Sequence, residues 1–147
     1  MSDEQWMREA LALAREAAAD GEVPVGCVVT HGERIVGRGR NRRECGKSAL
    51  AHAELEAIAE ACKTLGGWRL WQCALYVTLE PCPMCAGAII NSRVSTLVYG
   101  AREERTGSCA SVINLFEERY PSRPAIYADV LAGECAEILR GFFSVLR

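Results

Sequence analysis

The most informative stretch of the sequence is Ala74-Leu-Tyr-Val-Thr-Leu-Glu-Pro-Cys-Pro-Met-Cys-Ala-Gly-Ala-Ile-Ile-Asn91, followed by residues 94–99. Its beginning, residues 74–79, is apolar and rich in strand-forming side chains and predicts a buried strand. Pro83 suits the first turn of a short helix over residues 83–91, because the N–H that proline lacks is not needed there. Residues 94–99 predict the next strand. A strand, a helix and a second strand in this order indicate two parallel strands of one sheet.

The elements around this unit follow from hydrophobic periodicity. Ser2 and Gln5 form a capping-box pattern ahead of an apolar stripe of helical period, which Gly21 ends. A second helix, rich in Ala, Leu and Glu, ends at the Gly66-Gly67 pair. This second helix spans residues 49–65. The remaining predicted elements are hairpin strands at 23–30 and 35–39, helices at 112–119 and 131–145, and a strand at 125–127.

The order of these elements predicts a three-layer α/β/α sandwich with a mixed central sheet of about five strands. The opening hairpin is antiparallel, whereas the later strands alternate with helices and should be mutually parallel. A length of 147 residues, or 16.0 kDa, predicts a single domain over residues 1–147.

The composition is that of an ordinary folded domain, with 50% apolar and 24% charged residues. No apolar run reaches the length of a membrane span. Acidic residues near the N-terminus stand where a signal peptide would be basic and then apolar. We therefore expect a cytoplasmic protein with no membrane partner.

The charge is unevenly distributed. A net charge of −2 and a pI near 5.8 do not suggest a uniformly basic nucleic-acid binder. One segment is nevertheless strongly basic, and two interpretations remain open: a solvated strand and loop, or a local phosphate-binding surface. Its basic residues are Arg34, Arg38, Arg40, Arg42, Arg43 and Lys47.

Eight cysteines are many for a cytoplasmic chain, but the chain is long enough to build a core without a disulfide framework. Cys82 and Cys85 form a C-x-x-C motif, a spacing found in redox pairs and in structural or catalytic zinc sites. The other six are expected to be small buried apolar side chains: Cys27, Cys45, Cys62, Cys73, Cys109 and Cys135.

His52 favours a zinc site over a redox pair as the function of the C-x-x-C motif. It lies near the start of the second predicted helix, and the cysteine pair lies at the start of the third. His52, Cys82 and Cys85 give three ligands and leave one position open, which is typical of a catalytic zinc. We expect one Zn²⁺ per chain. His31, the only other histidine, is expected to be an exposed turn residue.

Glu54 is the predicted catalytic residue. It stands two positions after His52, so its carboxylate is expected to lie beside the metal without binding it. Hydrolytic replacement of an amine requires protons to be moved as well as a nucleophile to be formed. A carboxylate in this place can take the proton of the water and pass it to the substrate and the leaving ammonia.

His-Ala-Glu followed by Pro-Cys-x-x-Cys resembles the zinc site of the cytidine deaminase superfamily. Within it, the chain is similar to bacterial tRNA-specific adenosine deaminases of the TadA type nearly from end to end. The matching stretches are residues 22–26, 39–42, 51–54, 75–88, 100–102 and 106–107. Four departures lie in regions expected to meet the substrate. Ser48-Ala-Leu50 precedes the His-Ala-Glu motif, Glu103 stands where the family has aspartate, Ser108-Cys-Ala-Ser111 follows the Thr-Gly motif, and Ser144 replaces the basic residue after Phe142-Phe143.

The resemblance implies a homodimer that deaminates the wobble adenosine of a tRNA anticodon loop to inosine. It implies that Asn41 contacts the target nucleotide, and that flanking nucleotides meet Arg102, Glu103 and Phe143. The substrate-contacting residues that it implies are Asn41, Val23, Ala51, Glu80, Pro81, Arg102, Glu103 and Phe143.

Three other functions are compatible with parts of the sequence. The first is a deaminase of a small free base or nucleoside, such as guanine, cytosine or adenosine, which would share the zinc motif. The second is a non-catalytic zinc module that binds RNA or a partner; it requires a fourth protein ligand and has no use for Glu54. The third is a redox C-x-x-C protein, in which the His-x-Glu pattern would be a coincidence.

Overall fold

The structure, a computed structural model, describes residues 1–145. Four α-helices and five strands alternate along most of the chain, as the sequence predicts. In chain order they are α1 (Asp3–Ala19), β1 (Gly26–His31), β2 (Arg34–Arg40), α2 (Ala53–Leu65), β3 (Cys73–Leu79), α3 (Pro83–Asn91), β4 (Thr96–Ala101), β5 (Ala125–Tyr127) and α4 (Ala132–Val145).

The five strands form one mixed sheet in the order β2-β1-β3-β4-β5. β1 pairs antiparallel with both β2 and β3, whereas β3, β4 and β5 run parallel to one another. The predicted mixture of an antiparallel hairpin and parallel later strands is therefore confirmed. The crossover from β3 to β4 runs through α3, and α4, which follows β5, packs on the opposite face of the sheet.

Helices cover both faces of the sheet, which confirms the three-layer prediction. Alternate strand residues point to opposite faces. Leu75 and Leu97 pack with α2 and α3 on one face, and Tyr76 and Val98 pack with α1 and α4 on the other. No helix within residues 1–145 is long and apolar enough to cross a membrane.

Two predicted helix boundaries are wrong. α2 begins at Ala53 rather than at residue 49, because residues 48–51 form a turn in which Ser48 accepts hydrogen bonds from Leu50 and Ala51. The helix predicted at 112–119 is only a single 3-10 turn, Leu115–Glu117, whose first N–H groups are capped by Asn114. Asn114 also bridges back to Cys109, which holds the preceding residues in a turn.

The cysteine prediction is partly wrong. Cys27, Cys73, Cys109 and Cys135 are buried as expected, but Cys45 is exposed in a polar loop and Cys62 is only half-buried. All eight thiols are free. His31 is exposed as predicted, at the end of β1, with its Nε2 3.4 Å from the side-chain oxygen of Gln72.

Gly39 allows β2 to lie directly against α2, the helix that carries the site described below. A β-carbon at this position would lie 2.1 Å from the carbonyl oxygen of Ala53 and 2.7 Å from the amide of Ala57. Gly39→Ala is therefore expected to lower the free energy of unfolding by about 1–3 kcal/mol. Urea denaturation measures the change. Gly67→Ala, with nothing within 4 Å of the added carbon, is the control; equal midpoints for the two variants would contradict the packing.

Candidate active site

A cavity of about 270 Å³ opens where β3 ends and where α2 and α3 begin. Ligands of parallel sheets bind at this edge because the loops that follow the strands converge there. The cavity contains both polar and apolar side chains. It is lined by Val23, Val25, Asn41, Arg43, His52, Ala53, Glu54, Leu79, Glu80, Cys82, Arg102, Glu103, Arg105, Thr106, Leu139 and Phe143.

The three predicted metal ligands meet at the floor of this cavity. Nδ1 of His52 lies 3.7 Å from Sγ of Cys82 and 3.5 Å from Sγ of Cys85, and all three atoms lie within 4.8 Å of one another. Tetrahedral zinc with ordinary Zn–N and Zn–S bonds would place such atoms about 3.6 Å apart. Among residues 1–145, no fourth His, Cys, Asp or Glu joins the group. The donor set and its spacing therefore fit zinc with one open position.

The starts of two helices bring these ligands together. His52 is the N-cap of α2, and Cys82 is the N-cap of α3 with Pro83 at the first helical position. Neither N-cap side chain makes a capping hydrogen bond to the backbone of its own helix, so both are available to a metal. Cys85 lies one turn into α3, on the same side as Cys82. The free N–H groups and the positive end of the helix dipole favour thiolates at this place.

The protonation of the group suits metal binding. A hydrogen bond from Cys85, together with one from His52, lowers the pKa of Cys82 to about 4. The pKa of Cys85 is raised, because this thiol donates to Cys82 and is buried. Cys82 is thus a thiolate at neutral pH, and Cys85 is the group that would release a proton as a metal binds.

Glu54 lies beside the ligands, with its side chain in the cavity lining and only 4% exposed. Burial raises the pKa of its carboxyl to about 7, although the nearby charge of His52 opposes this. A carboxyl that changes its protonation near neutral pH can act as both acceptor and donor in one reaction cycle. Its placement agrees with the predicted role in proton transfer.

Six of the eight residues implied as substrate contacts line the cavity: Val23, Asn41, Glu80, Arg102, Glu103 and Phe143. The other two, Ala51 and Pro81, lie just outside the lining. Their carbonyls accept hydrogen bonds from Arg42 and Ser108, at 2.9 and 2.8 Å, and so support neighbouring loops.

Asn41 is held firmly at the cavity wall. Its side-chain amide donates to the carbonyl of Val23 at 3.1 Å, and its side-chain oxygen accepts from the amide of Arg43 at 3.2 Å. One donor and one lone pair remain for a ligand after these bonds. The side chain is thus oriented before any substrate arrives.

The sequence reasoning missed several lining residues as individual contacts. Thr106 belongs to the Thr-Gly motif and Arg105 directly precedes it, whereas Leu139 lies one helical turn before Phe143. Each of these positions could have been found from a predicted neighbour. Val25 lies just after Val23, one of the implied contacts. Arg43 was included only as a member of the basic segment.

The basic segment divides into two parts. Arg40 pairs with Glu16 and Asp20, and Arg42 pairs with Glu56 at 2.8 Å, so these two side chains stabilise the fold. Arg43 instead reaches the cavity rim. Arg40 and Arg42 therefore do not form a free phosphate-binding surface. Within this segment, Arg43 is the residue that borders the site and could bind a phosphate.

The chain is similar in sequence to known deaminases. The family model of the MafB19-like deaminases matches residues 1–147. The tRNA-specific adenosine deaminase of Bacillus subtilis (strain 168) is 46% identical over 146 residues, covering 99% of this chain and 91% of the relative.

Two solved structures are also similar. One, from a study of A-to-I editing by tRNA:A34 deaminases at the wobble position of transfer RNA, superposes with a TM-score of 0.89 at 40% identity, covering 92% of this chain and 99% of the other. A guanine deaminase from Nitrosomonas europaea superposes with a TM-score of 0.78 at 26% identity, covering 97% and 85% of the two chains. The chain therefore belongs to the MafB19-like deaminases and, among them, to the tRNA-specific adenosine deaminases.

Proposed function

We propose that this chain is a zinc-dependent enzyme that hydrolyses the wobble adenosine of a tRNA anticodon loop to inosine, with release of ammonia. One observation supports the chemistry above all. Glu54, a buried carboxyl, lies in the same small cavity as a His-Cys-Cys group whose spacing fits zinc and whose fourth position is open. The tRNA substrate is inferred from relatives of 40–46% identity.

In this mechanism His52, Cys82 and Cys85 hold the zinc. Zinc bound there would supply a water-derived nucleophile at neutral pH. α2 and α3 fix the three ligands before binding, because each ligand sits at or within one turn of a helix start. The cavity above them admits one base-sized group and excludes bulk water from its floor, where Glu54 is buried.

Glu54 moves the protons. Its carboxylate accepts a proton from the attacking water and delivers it to N1 of the adenine ring as the new C–O bond forms at C6. A second proton passes through the same carboxyl to the amine as the C6–N6 bond breaks. Water and adenosine are thereby converted to inosine and ammonia with no other reactant.

The remaining site residues would bind the nucleotide. We assign the base to Asn41, Val23 and the neighbouring Ala51. The backbone of Glu80 and Pro81 would shape the other side of the pocket, while the Glu80 carboxylate bonds to the loop after β4. Arg102, Glu103 and Phe143 lie further out and would meet the flanking nucleotides. A single-stranded loop is the form of RNA whose bases can splay into such a pocket.

A small free base is the alternative substrate, and the similarity to a guanine deaminase supports it. The identity to that protein is 26%, against 46% for the tRNA-specific relative. Arg43 and Arg105 also lie at the rim, where they could contact a ligand larger than one base. Both observations favour RNA.

The substrate test compares an anticodon stem-loop carrying adenosine at the wobble position with guanine, cytosine and free adenosine. Mass spectrometry of the products is expected to show inosine in the stem-loop and no turnover of the three small molecules. A stem-loop with adenosine only at another loop position is the matched control. Turnover of a free base alone would contradict the proposed substrate.

We further propose a homodimer in the cytoplasm. Large apolar side chains are exposed near the site, with Leu50 62%, Val112 56% and Ile113 49% accessible, and an apolar interface would cover such a surface.

The proposed compartment rests on the cysteines, because free thiols throughout the chain suit a reducing environment. The dimer is tested separately. Sedimentation is expected to give twice the mass of one chain; a monomer at micromolar concentration would contradict the dimer.

A further inference from the structure

Two loops contribute residues to the cavity rim. The first rim loop, residues 41–48, follows β2 and carries Arg43. The second rim loop, residues 102–111, follows β4 and carries Arg105 and Thr106. Both loops lack regular structure over most of their length, so something other than a helix or sheet must hold them in place.

A buried carboxylate, Glu22, holds the first rim loop. It lies between α1 and β1 and is 1% exposed. Its two oxygens accept hydrogen bonds from the backbone amides of Glu44 at 3.0 Å and Cys45 at 2.7 Å. These are the two residues that follow Arg43, so the carboxylate fixes the backbone on which this arginine is mounted.

A second buried carboxylate, Glu80, holds the second rim loop. It follows β3 and is 2% exposed. It accepts hydrogen bonds from the amides of Glu103 at 3.1 Å, Cys109 at 2.9 Å and Ser111 at 3.1 Å, and from the hydroxyl of Ser111. These bonds close both ends of the loop and leave Arg105 at its exposed tip.

The close polar partners of both carboxylates are groups of the loops. Neither forms an ion pair with any residue in 1–145. Burial alone would raise the pKa of Glu22, but the amide donors of the first rim loop and the nearby charge of Arg43 outweigh it, and the pKa is lowered. A buried charge is destabilising unless such bonds compensate it, so the bonds and the loop conformation depend on each other.

Gly107 gives independent evidence that the second rim loop is built around Glu80. A β-carbon at Gly107 would lie 2.5 Å from Oε2 of Glu80 and 2.4 Å from the carbonyl oxygen of Glu103. No residue with a side chain fits this approach without moving the loop. Gly107→Ala therefore displaces the loop while Glu80 itself is unchanged.

We infer that Glu22 and Glu80 are positioning residues, which hold Arg43 and Arg105 at the rim so that they contact the phosphates on either side of the target nucleotide. This inference rests on the proposed RNA substrate. Glu80 thereby acts through the second rim loop, and Glu22, which lies outside the cavity lining, acts through the first. Neither carboxylate takes part in the proton transfers assigned to Glu54.

The first part of the test needs no substrate. Hydrogen exchange of the zinc-loaded protein is expected to show protected amides at 103, 109 and 111 that lose protection in Glu80→Ala and Gly107→Ala. In Glu22→Ala the loss should instead fall at 44 and 45. Gly133→Ala, where the added carbon meets nothing within 4 Å, is the control. Unchanged exchange in the loop that each variant targets would overturn the inference.

The second part measures kinetics on the stem-loop. Glu80→Ala and Gly107→Ala are each expected to raise KM about 10-fold, which corresponds to the loss of one hydrogen bond to a charged group. The kcat of each variant is expected to change less than about 3-fold. The dependence of log KM on log salt should weaken by about 0.7, as for the loss of one single-strand phosphate contact. Equal KM and salt slopes in variant and wild type would overturn the positioning role, even if exchange had changed.

A double-mutant cycle identifies the route of the effect. If Glu80 acts through Arg105, Glu80→Ala combined with Arg105→Ala should raise KM no further than the larger single effect. Glu22 and Arg43 form the matching pair. Fully additive effects of the two substitutions on KM would show that the carboxylate does not act through the arginine. If the wild type fails to convert the stem-loop at all, the proposed function fails, while the exchange experiment still decides whether the carboxylates hold the loops.

Discussion

Glu54→Gln is expected to lower kcat on the stem-loop by about three orders of magnitude while leaving zinc content and folding unchanged. The amide occupies the volume of the carboxyl, but it cannot accept a proton from water or return one to the base. Glu54 is 4% exposed in the cavity and is not one of the three grouped ligands, so the loss should be confined to proton transfer. Glu54→Ala should behave in the same way.

Steady-state kinetics and metal analysis on the same preparation test this expectation. Glu56→Gln is the matched control, because Glu56 lies on the same helix but pairs with Arg42 on its outer side at 2.8 Å. That variant should keep its kcat within about 3-fold, since exposed ion pairs contribute little. Undiminished deamination by Glu54→Gln would refute the assigned mechanism.

Cys85→Ser should abolish both zinc binding and activity. A serine hydroxyl stays protonated at neutral pH and is a poor ligand for zinc, and Cys85 is fully buried, so no water can replace it without rearrangement. Zinc should fall from about one per chain to near zero. Because bound metal stabilises the folded state, the thermal midpoint should fall as well.

Elemental analysis and thermal unfolding with and without a chelator measure both effects. The chelator should lower the midpoint of the wild type and leave that of Cys85→Ser where it is. Cys62→Ser, at a half-buried thiol on α2 away from the ligand group, should retain zinc and activity. A stable, fully metallated Cys85→Ser would show that the ligand set is wrong.

Periodicity predicted most of the fold because the packing is layered and regular. The alternation of Leu75 and Tyr76 between the two faces, and the capping box at Ser2, are local patterns that survive in the structure. The failures lie where side chains compete with regular structure. Ser48 ties the residues before His52 into a turn, and Asn114 limits a predicted helix to one 3-10 turn.

The floor of the site was predictable and much of its rim was not. His52 and Glu54 form one short motif and the cysteine pair forms another, and each motif begins a predicted helix, so the residue types and their helical placement were visible in the sequence. Arg43, Leu139 and the loop-holding role of Glu22 depend on contacts between distant segments. A glutamate between a helix and a strand looks like a surface residue in sequence, yet Glu22 is buried because the loop after β2 folds over it.

The central claim is that this cavity hydrolyses one adenosine of an anticodon loop. Its most direct test is a reaction in heavy-oxygen water, followed by nuclease digestion of the stem-loop and mass spectrometry of the fragments. We expect inosine at the wobble position alone, with the solvent oxygen incorporated in the base, and we expect no product with Glu54→Gln. Adenosine unchanged at that position, or inosine formed without the solvent oxygen, would contradict the account.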